Sequence, residues 1–203
     1  MFIDECGFNL NVQGSFYGWG PRGQVLYQEV PIKQVNTTLC AAIDNQGVVA
    51  FQIFNSSMKW QDYQCFMCNL VNCLKLGRNT SSDDLVMNND GLLEGMDSYS
   101  EAGKKGLVMV MDNASMHHAN SVMEVLSNYN VEFLPPYSPQ LNPIELWFAQ
   151  MKKLTARTYC ATTLQLRKNI IRTAKQVQKS FYSNVYRRLL RVCYEAYNMD
   201  TLT

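Results

Sequence analysis

Two rhythms of apolar positions run along the chain. Short apolar or alternating runs predict strands near residues 1–6, 24–30, 36–44 and 47–54, the last two joined by a turn at Asn45-Gln46-Gly47. The rhythm then lengthens. Over 59–76, Trp60, Tyr63, Cys65-Phe66-Met67, Leu70, Val71 and Leu74 recur at helical spacing, so one apolar face is predicted there. Residues 77–106 are rich in Gly, Ser, Asn and Asp. With only Leu85-Val86-Met87 and Leu92-Leu93 to bury, they read as a flexible insertion. Leu107-Val-Met-Val-Met111 is a continuous apolar run, the signature of a strand covered on both faces. Helix follows at 119–129, strand at 131–134 and helix at 143–156, 162–180 and 183–197. Antiparallel strands followed by alternating helix and strand place the chain in the α/β class, with no internal repeat.

Composition narrows the class. A chain of 203 residues with 47% apolar content suits a single domain with a substantial core, here 1–203. No run of about 18 apolar residues exists, which argues against a membrane span. Met1 starts directly on the first strand, leaving no room for a signal peptide, so the chain reads as not secreted. Seven cysteines, at 6, 40, 65, 68, 73, 160 and 193, are an odd count scattered through core-like segments and read as free thiols. Cys65 and Cys68 have zinc-ligand spacing but no second pair, so they read as core residues of a helix. The net charge of +1 conceals an asymmetry: residues 1–150 hold 7 Lys and Arg against 15 Asp and Glu, whereas 151–203 hold 11 against 2. The basic C-terminal helices over 157–203, preceded by Lys152 and Lys153 and including Arg157, could neutralise phosphates.

Three carboxylates stand out against this background. Asp4 closes the first apolar run, and Asp112 closes the run at 107–111. Glu145 falls just inside a helix whose start is marked by Asn142, a favoured N-cap residue, and by Pro143 at the first helical position. Carboxylates fixed at the ends of core elements, in a chain with few charges, are a usual way to build a divalent-metal site. Glu5 alternates to the opposite face of the first strand and is left out of that shell.

The segments carrying these residues are FIDECGFNL at 2–10, YGWGPRGQ at 17–24, VMDNASMHH at 110–118 and LPPYSPQLNPIELWF at 134–148. In this order they resemble the catalytic domain of the mariner-type DDE transposases and the related bacterial insertion-sequence transposases. The resemblance implies a ribonuclease-H-like fold, a mixed five-stranded sheet flanked by helices, here with extra C-terminal helices. It implies that Asp4, Asp112 and Glu145 are the catalytic triad and hold Mg²⁺ or Mn²⁺, two ions together, with Asp112 and Glu145 33 positions apart. Asn113 would orient Asp112 or contact phosphate, and His117 would approach the DNA or the metal shell. Arg22, on the tight turn Gly20–Gly23, joins Lys152, Lys153 and Arg157 as a phosphate contact. Trp19 and Trp147 are expected in the core. The implied activity is metal-dependent DNA cleavage and strand transfer on double-stranded DNA, both transposon ends and target, by a chain that is nuclear if eukaryotic and otherwise cytoplasmic. The resemblance leaves room for a homodimer. The rival reading is a domesticated or truncated relic that binds DNA or protein without cutting. No end-recognition region before Asp4 favours that reading, and the intact carboxylate set opposes it.

Overall fold

The computed structural model describes residues 1–10, 19–25, 27, 36–76, 94–95 and 106–200. Among these residues six strands form one mixed sheet: β1 (Phe2–Phe8), β2 (Thr37–Ile43), β3 (Val48–Phe54), β4 (Glu94–Gly95), β5 (Val108–Met111) and β6 (Asn130–Phe133), in spatial order β4-β3-β2-β1-β5-β6. The helices are α1 (Trp60–Leu76), α2 (Asn120–Val125), α3 (Pro143–Thr155), α4 (Thr163–Gln176) and α5 (Lys179–Asp200). This is the ribonuclease-H-like arrangement: an antiparallel β1-β2-β3 meander, with β5 parallel to β1 and β6 parallel to β5. The two-residue β4 is added at the β3 edge. The β2–β3 turn is closed by Asp44, whose Oδ1 accepts from the backbone N–H groups of Gln46 and Gly47 at 2.7 and 2.8 Å. A short polar side chain bonding two residues ahead is what makes this turn local.

Every residue of β2 and β3 is buried, which requires helices on both faces. On one face α1 and α2 pack through Tyr63, Phe66, Met67, Leu70, Val122 and Leu126 against Ile3, Cys40, Ala42 and Met109. On the other, α3, α4 and α5 bring Ile144, Trp147, Phe148, Met151, Leu166, Ile170 and Tyr182 against Phe2, Cys6, Leu39, Ala41 and Phe51. Burying each large apolar side chain contributes roughly 1.5–3 kcal/mol. Trp147 is fully buried, as expected, and its Nε1–H donates to the Tyr182 hydroxyl at 2.9 Å, tying α3 to α5. Strand β1 divides its side chains by alternation: Phe2, Asp4, Cys6 and Phe8 face the α3 layer, and Ile3 faces α1.

Several expectations are corrected. Gln24, Val25 and Tyr27 lie outside any strand, and the rest of the strand predicted at 24–30 falls outside the described residues. Within 77–106, Glu94–Gly95 pairs with β3, so at least this part of the expected insertion belongs to the sheet. The remainder, save Gly106, lies outside the described residues. Trp19 is fully exposed rather than in the core. Helix α2 is shorter than 119–129, because its end tightens into three-residue turns such as Tyr129 N–H to Leu126 C=O at 2.8 Å. The break between the last two helices falls at Val177–Gln178, where half-buried Val177 is extended and packs on the core. None of the seven cysteines forms a disulfide, as expected, but Cys65 and Cys193 are exposed and Cys68 is half-buried. Among the described residues no helix is long and apolar enough to cross a membrane.

Candidate functional site

Asp4 sits in the middle of β1 and is buried, 6% exposed. The parallel register of β1 and β5 pairs Ile3 with Met111, so Asp4 and Asp112 follow at matching heights, Asp112 just past the end of its strand. Glu145 lies in the first turn of α3, where the helix macrodipole favours a negative charge. The three carboxylates line one cleft of about 440 Å³, together with Asn113, Ala114, Asn142 and the Leu134–Pro139 segment. A strand middle, a strand end and a helix start thus converge from positions 4, 112 and 145.

Asn142 does not cap α3 through its side chain. Its Nδ2–H instead donates 2.8 Å to Asp4 Oδ2, across 138 positions of sequence, while its Oδ1 is buried without a partner. Pro143 does occupy the first turn, as expected. The other Asp4 oxygen accepts from the backbone N–H of Glu5 at 2.8 Å. These bonds do not offset the surroundings. Burial, with the charges of Glu5, Asp112 and Glu145 adding to it, lifts the Asp4 carboxyl from its ordinary 3.8 to about 7. Among the described residues no lysine or arginine forms an ion pair with any of the three.

His117, expected to approach the DNA or the metal shell, is completely buried and lies against Asp112. Its Nδ1 lies 2.7 Å from Asp112 Oδ1 and 3.2 Å from the Asp112 carbonyl, its Nε2 lies 3.3 Å from Glu5 Oε2, and its ring stacks on Tyr63 at 4.3 Å. Burial opposes its charged form. The hydrogen bond to Glu5 and the charges of Glu5 and Asp112 outweigh that and raise its pKa. Glu5 therefore reaches the site after all, through His117 beyond the C-terminal end of β5. Strand alternation puts Glu5 correctly on the other face but does not reveal the bridge. A carboxylate–imidazole–carboxylate chain of this kind fixes the outer oxygen atom and the ring orientation together. His118 stacks on Phe133 at 4.0 Å and bonds Asn113 Oδ1, holding Asn113 beside the cleft.

The expected basic contacts are less concentrated. Arg22 lies in an exposed turn away from the cleft lining, and Lys153 and Arg157 are exposed at the end of α3. Lys152 borders a separate hollow with Gly7, Phe8 and Thr155. Two arginines of the basic helices are already engaged: Arg167 with Asn55 Oδ1 at 3.0 Å, and Arg172 with Thr158 Oγ1 and Asn169 Oδ1 at 2.8 and 2.7 Å.

Hard oxygen donors and uncompensated negative charge suit Mg²⁺ or Mn²⁺. Among the described residues no three such side chains close on one point as they are oriented. Both oxygens of Asp4 accept hydrogen bonds, from Asn142 and from the Glu5 N–H, and one oxygen of Asp112 is turned to His117.

Comparison with known proteins adds to this geometry. The family model described as "DDE superfamily endonuclease" matches residues 1–167. Among solved structures, a pre-cleavage Mos1 transpososome superposes with a TM-score of 0.68 at 20% identity, covering 93% of this chain and 52% of that one. The Mos1 paired-end complex with a left transposon end gives 0.65 at 20% identity, covering 93% and 51%. The catalytic domain of Mos1 mariner transposase gives 0.62 at 20% identity, covering 93% and 75%. The chain thus spans about half the length of the longer Mos1 chains it matches. No curated protein matches the sequence.

Proposed function

The chain belongs to the DDE superfamily endonucleases, and on that premise we propose that it is the catalytic domain of a transposase that cuts DNA and joins the freed 3′-hydroxyl to a target. One observation carries this reading: Asp4, Asp112 and Glu145 line the same cleft, with Asp4 buried among like charges and lacking a cationic partner among the described residues. Negative charge so placed is stabilised by a cation. The Mos1 structures include complexes with Mn and with Mg, which supports a divalent metal here. Asp4, Asp112 and Glu145 would hold it. When bound, a pair of such ions activates the attacking oxygen and stabilises the leaving one. The chain's own residues do the positioning. The β1–β5 pairing fixes Asp4 against Asp112, His117 and Glu5 fix the rotamer of Asp112, and α3 carries Glu145 on a helix anchored by Trp147. Arg22, Lys152, Lys153 and Arg157 would bind the phosphate backbone of double-stranded DNA as point charges that position it without reading sequence.

The test is nicking of supercoiled DNA with Mn²⁺, Mg²⁺ or Ca²⁺, beside filter binding. Wild type is expected to nick with Mn²⁺ or Mg²⁺ and not with Ca²⁺, and Asp112→Asn to bind DNA without nicking. Equal nicking by both proteins overturns the triad. DNA binding without nicking by wild type favours the non-catalytic relic.

A further inference from the structure

The loop that carries the proline-rich segment holds a residue that its backbone does not want. Pro135–Ser138 makes a turn with Pro136 and Tyr137 at its two central positions, and Tyr137 has φ +57°. Among the described residues it is the one non-glycine residue at positive φ. Turns of this kind take glycine or asparagine at that position, because a Cβ crowds the following carbonyl. Tyr137 also has no packing to compensate: its side chain is 100% exposed, while it borders the carboxylate cleft. Prolines on both sides and the Ser138 Oγ–H donating to the Pro136 carbonyl at 3.3 Å hold the turn rigid. A strained backbone kept rigid at a cleft rim, presenting an aromatic ring to solvent, is paid for by what the ring does.

We propose that Tyr137 is a stacking post for an unpaired nucleobase at the rim of the cleft lined by the three carboxylates. The inference rests on the reading of that cleft as a DNA-cutting site and adds to it a base-binding subsite. Aromatic faces bind nucleobases irrespective of sequence, and only a base outside the duplex stack offers its face. Leu134, Pro136 and Pro139 line the same cleft, so the rim beside Tyr137 is apolar. The shelf is apolar and lies beside an acidic cleft, which suits an uncharged ring and disfavours a phosphate.

The test uses a single-stranded oligonucleotide carrying one 2-aminopurine, and a fully paired duplex of the same sequence, each with Ca²⁺. Wild type is expected to bind the single strand and quench its fluorescence. Tyr137→Phe should behave as wild type. Tyr137→Gly suits the backbone better than tyrosine and should fold with an unchanged or higher melting temperature. It should nevertheless lose about tenfold in single-strand affinity, together with the quenching. Its affinity for the duplex should stay within about twofold, since paired bases present only their edges. Equal losses on both substrates, no loss on either, or a wild type that does not bind single strands overturns the stacking post. A Tyr137-dependent quench in a protein that never nicks keeps the stacking post and removes the cleavage reading. Nicking without any Tyr137 dependence does the reverse.

Discussion

Replacing Asp4 by asparagine is expected to stabilise the metal-free protein above neutral pH. In the fold the Asp4 carboxyl is raised from 3.8 to about 7, by burial first and by the charges of Glu5, Asp112 and Glu145 after it. A carboxyl that holds its proton more tightly when folded contributes stability that is complete below its unfolded value, near pH 3.8, and is lost as pH rises to about 7. About three pKa units at roughly 1.4 kcal/mol each set an upper bound of roughly 4 kcal/mol of strain at pH 8. The Asp4→Asn change removes the charge and keeps the shape. The new amide oxygen can accept from the Glu5 N–H, and the new amide N–H can donate to Asn142 Oδ1 once that amide turns over, satisfying an atom that now lacks a partner. Recovering half of the strain, about 2 kcal/mol, raises the melting temperature of a domain of this size by roughly 4–8 °C. The assay is thermal melting in EDTA at pH 5 and pH 8, and again with Mn²⁺. The gain of Asp4→Asn should appear at pH 8 and shrink at pH 5. Added Mn²⁺ should raise wild type and leave the variant nearly unmoved. An Asp4→Asn protein that melts below wild type at pH 8 in EDTA refutes the reasoning, since it shows the charge to be compensated in the free protein.

Four further outcomes follow from the same geometry. Asn142→Asp places another carboxylate against Asp4, so its melting temperature in EDTA should fall by several degrees at pH 8 and recover with Mn²⁺ more than wild type does. His117→Ala removes a ring bonded to both Asp112 and Glu5 and stacked on Tyr63; it should cost roughly 2–3 kcal/mol by chemical denaturation and weaken Mn²⁺ affinity measured by calorimetry. Because the His117 pKa is raised against its burial, the protein's stability should decline further as pH climbs past the ordinary imidazole range, in the same direction as Asp4, and His117→Ala should flatten that part of the profile. Trp147→Phe leaves the buried Tyr182 hydroxyl without its donor and should lower the urea midpoint by the equivalent of about 1–3 kcal/mol, without changing DNA affinity.

How much of this was legible depends on the range of each interaction. The β2–β3 turn, α1 and the buried strand β5 are local patterns, and the residue order supplied them. The three carboxylates were placed through the motifs that carry them. Their convergence on one cleft follows from the β1–β5 register, a pairing across more than a hundred positions that apolar runs alone do not encode. Asn142 shows the limit most plainly. Its neighbours place it correctly at the N-cap of α3, but nothing local reveals that its Nδ2–H donates to a carboxylate 138 positions away while its Oδ1 caps nothing. Glu5 shows the same thing in reverse, because alternation gave its face but not the imidazole waiting there. Trp19 reads as core by residue type, and only the fold reveals it in solvent.

The family match stops at residue 167, inside α4, but the packing does not. Ile170, Ala174 and Tyr182 belong to the same apolar cluster as Ile144, Trp147 and Phe148, the residues that hold the helix bearing Glu145. A protein cut at the matched boundary would carry only the first five of the 14 residues of α4 and leave one side of α3 bare to water. Its Trp147 indole N–H would have no acceptor. The smallest piece expected to fold and stay in solution therefore extends through Leu189, and any expression boundary drawn from sequence similarity alone would remove the buttress of its own active helix.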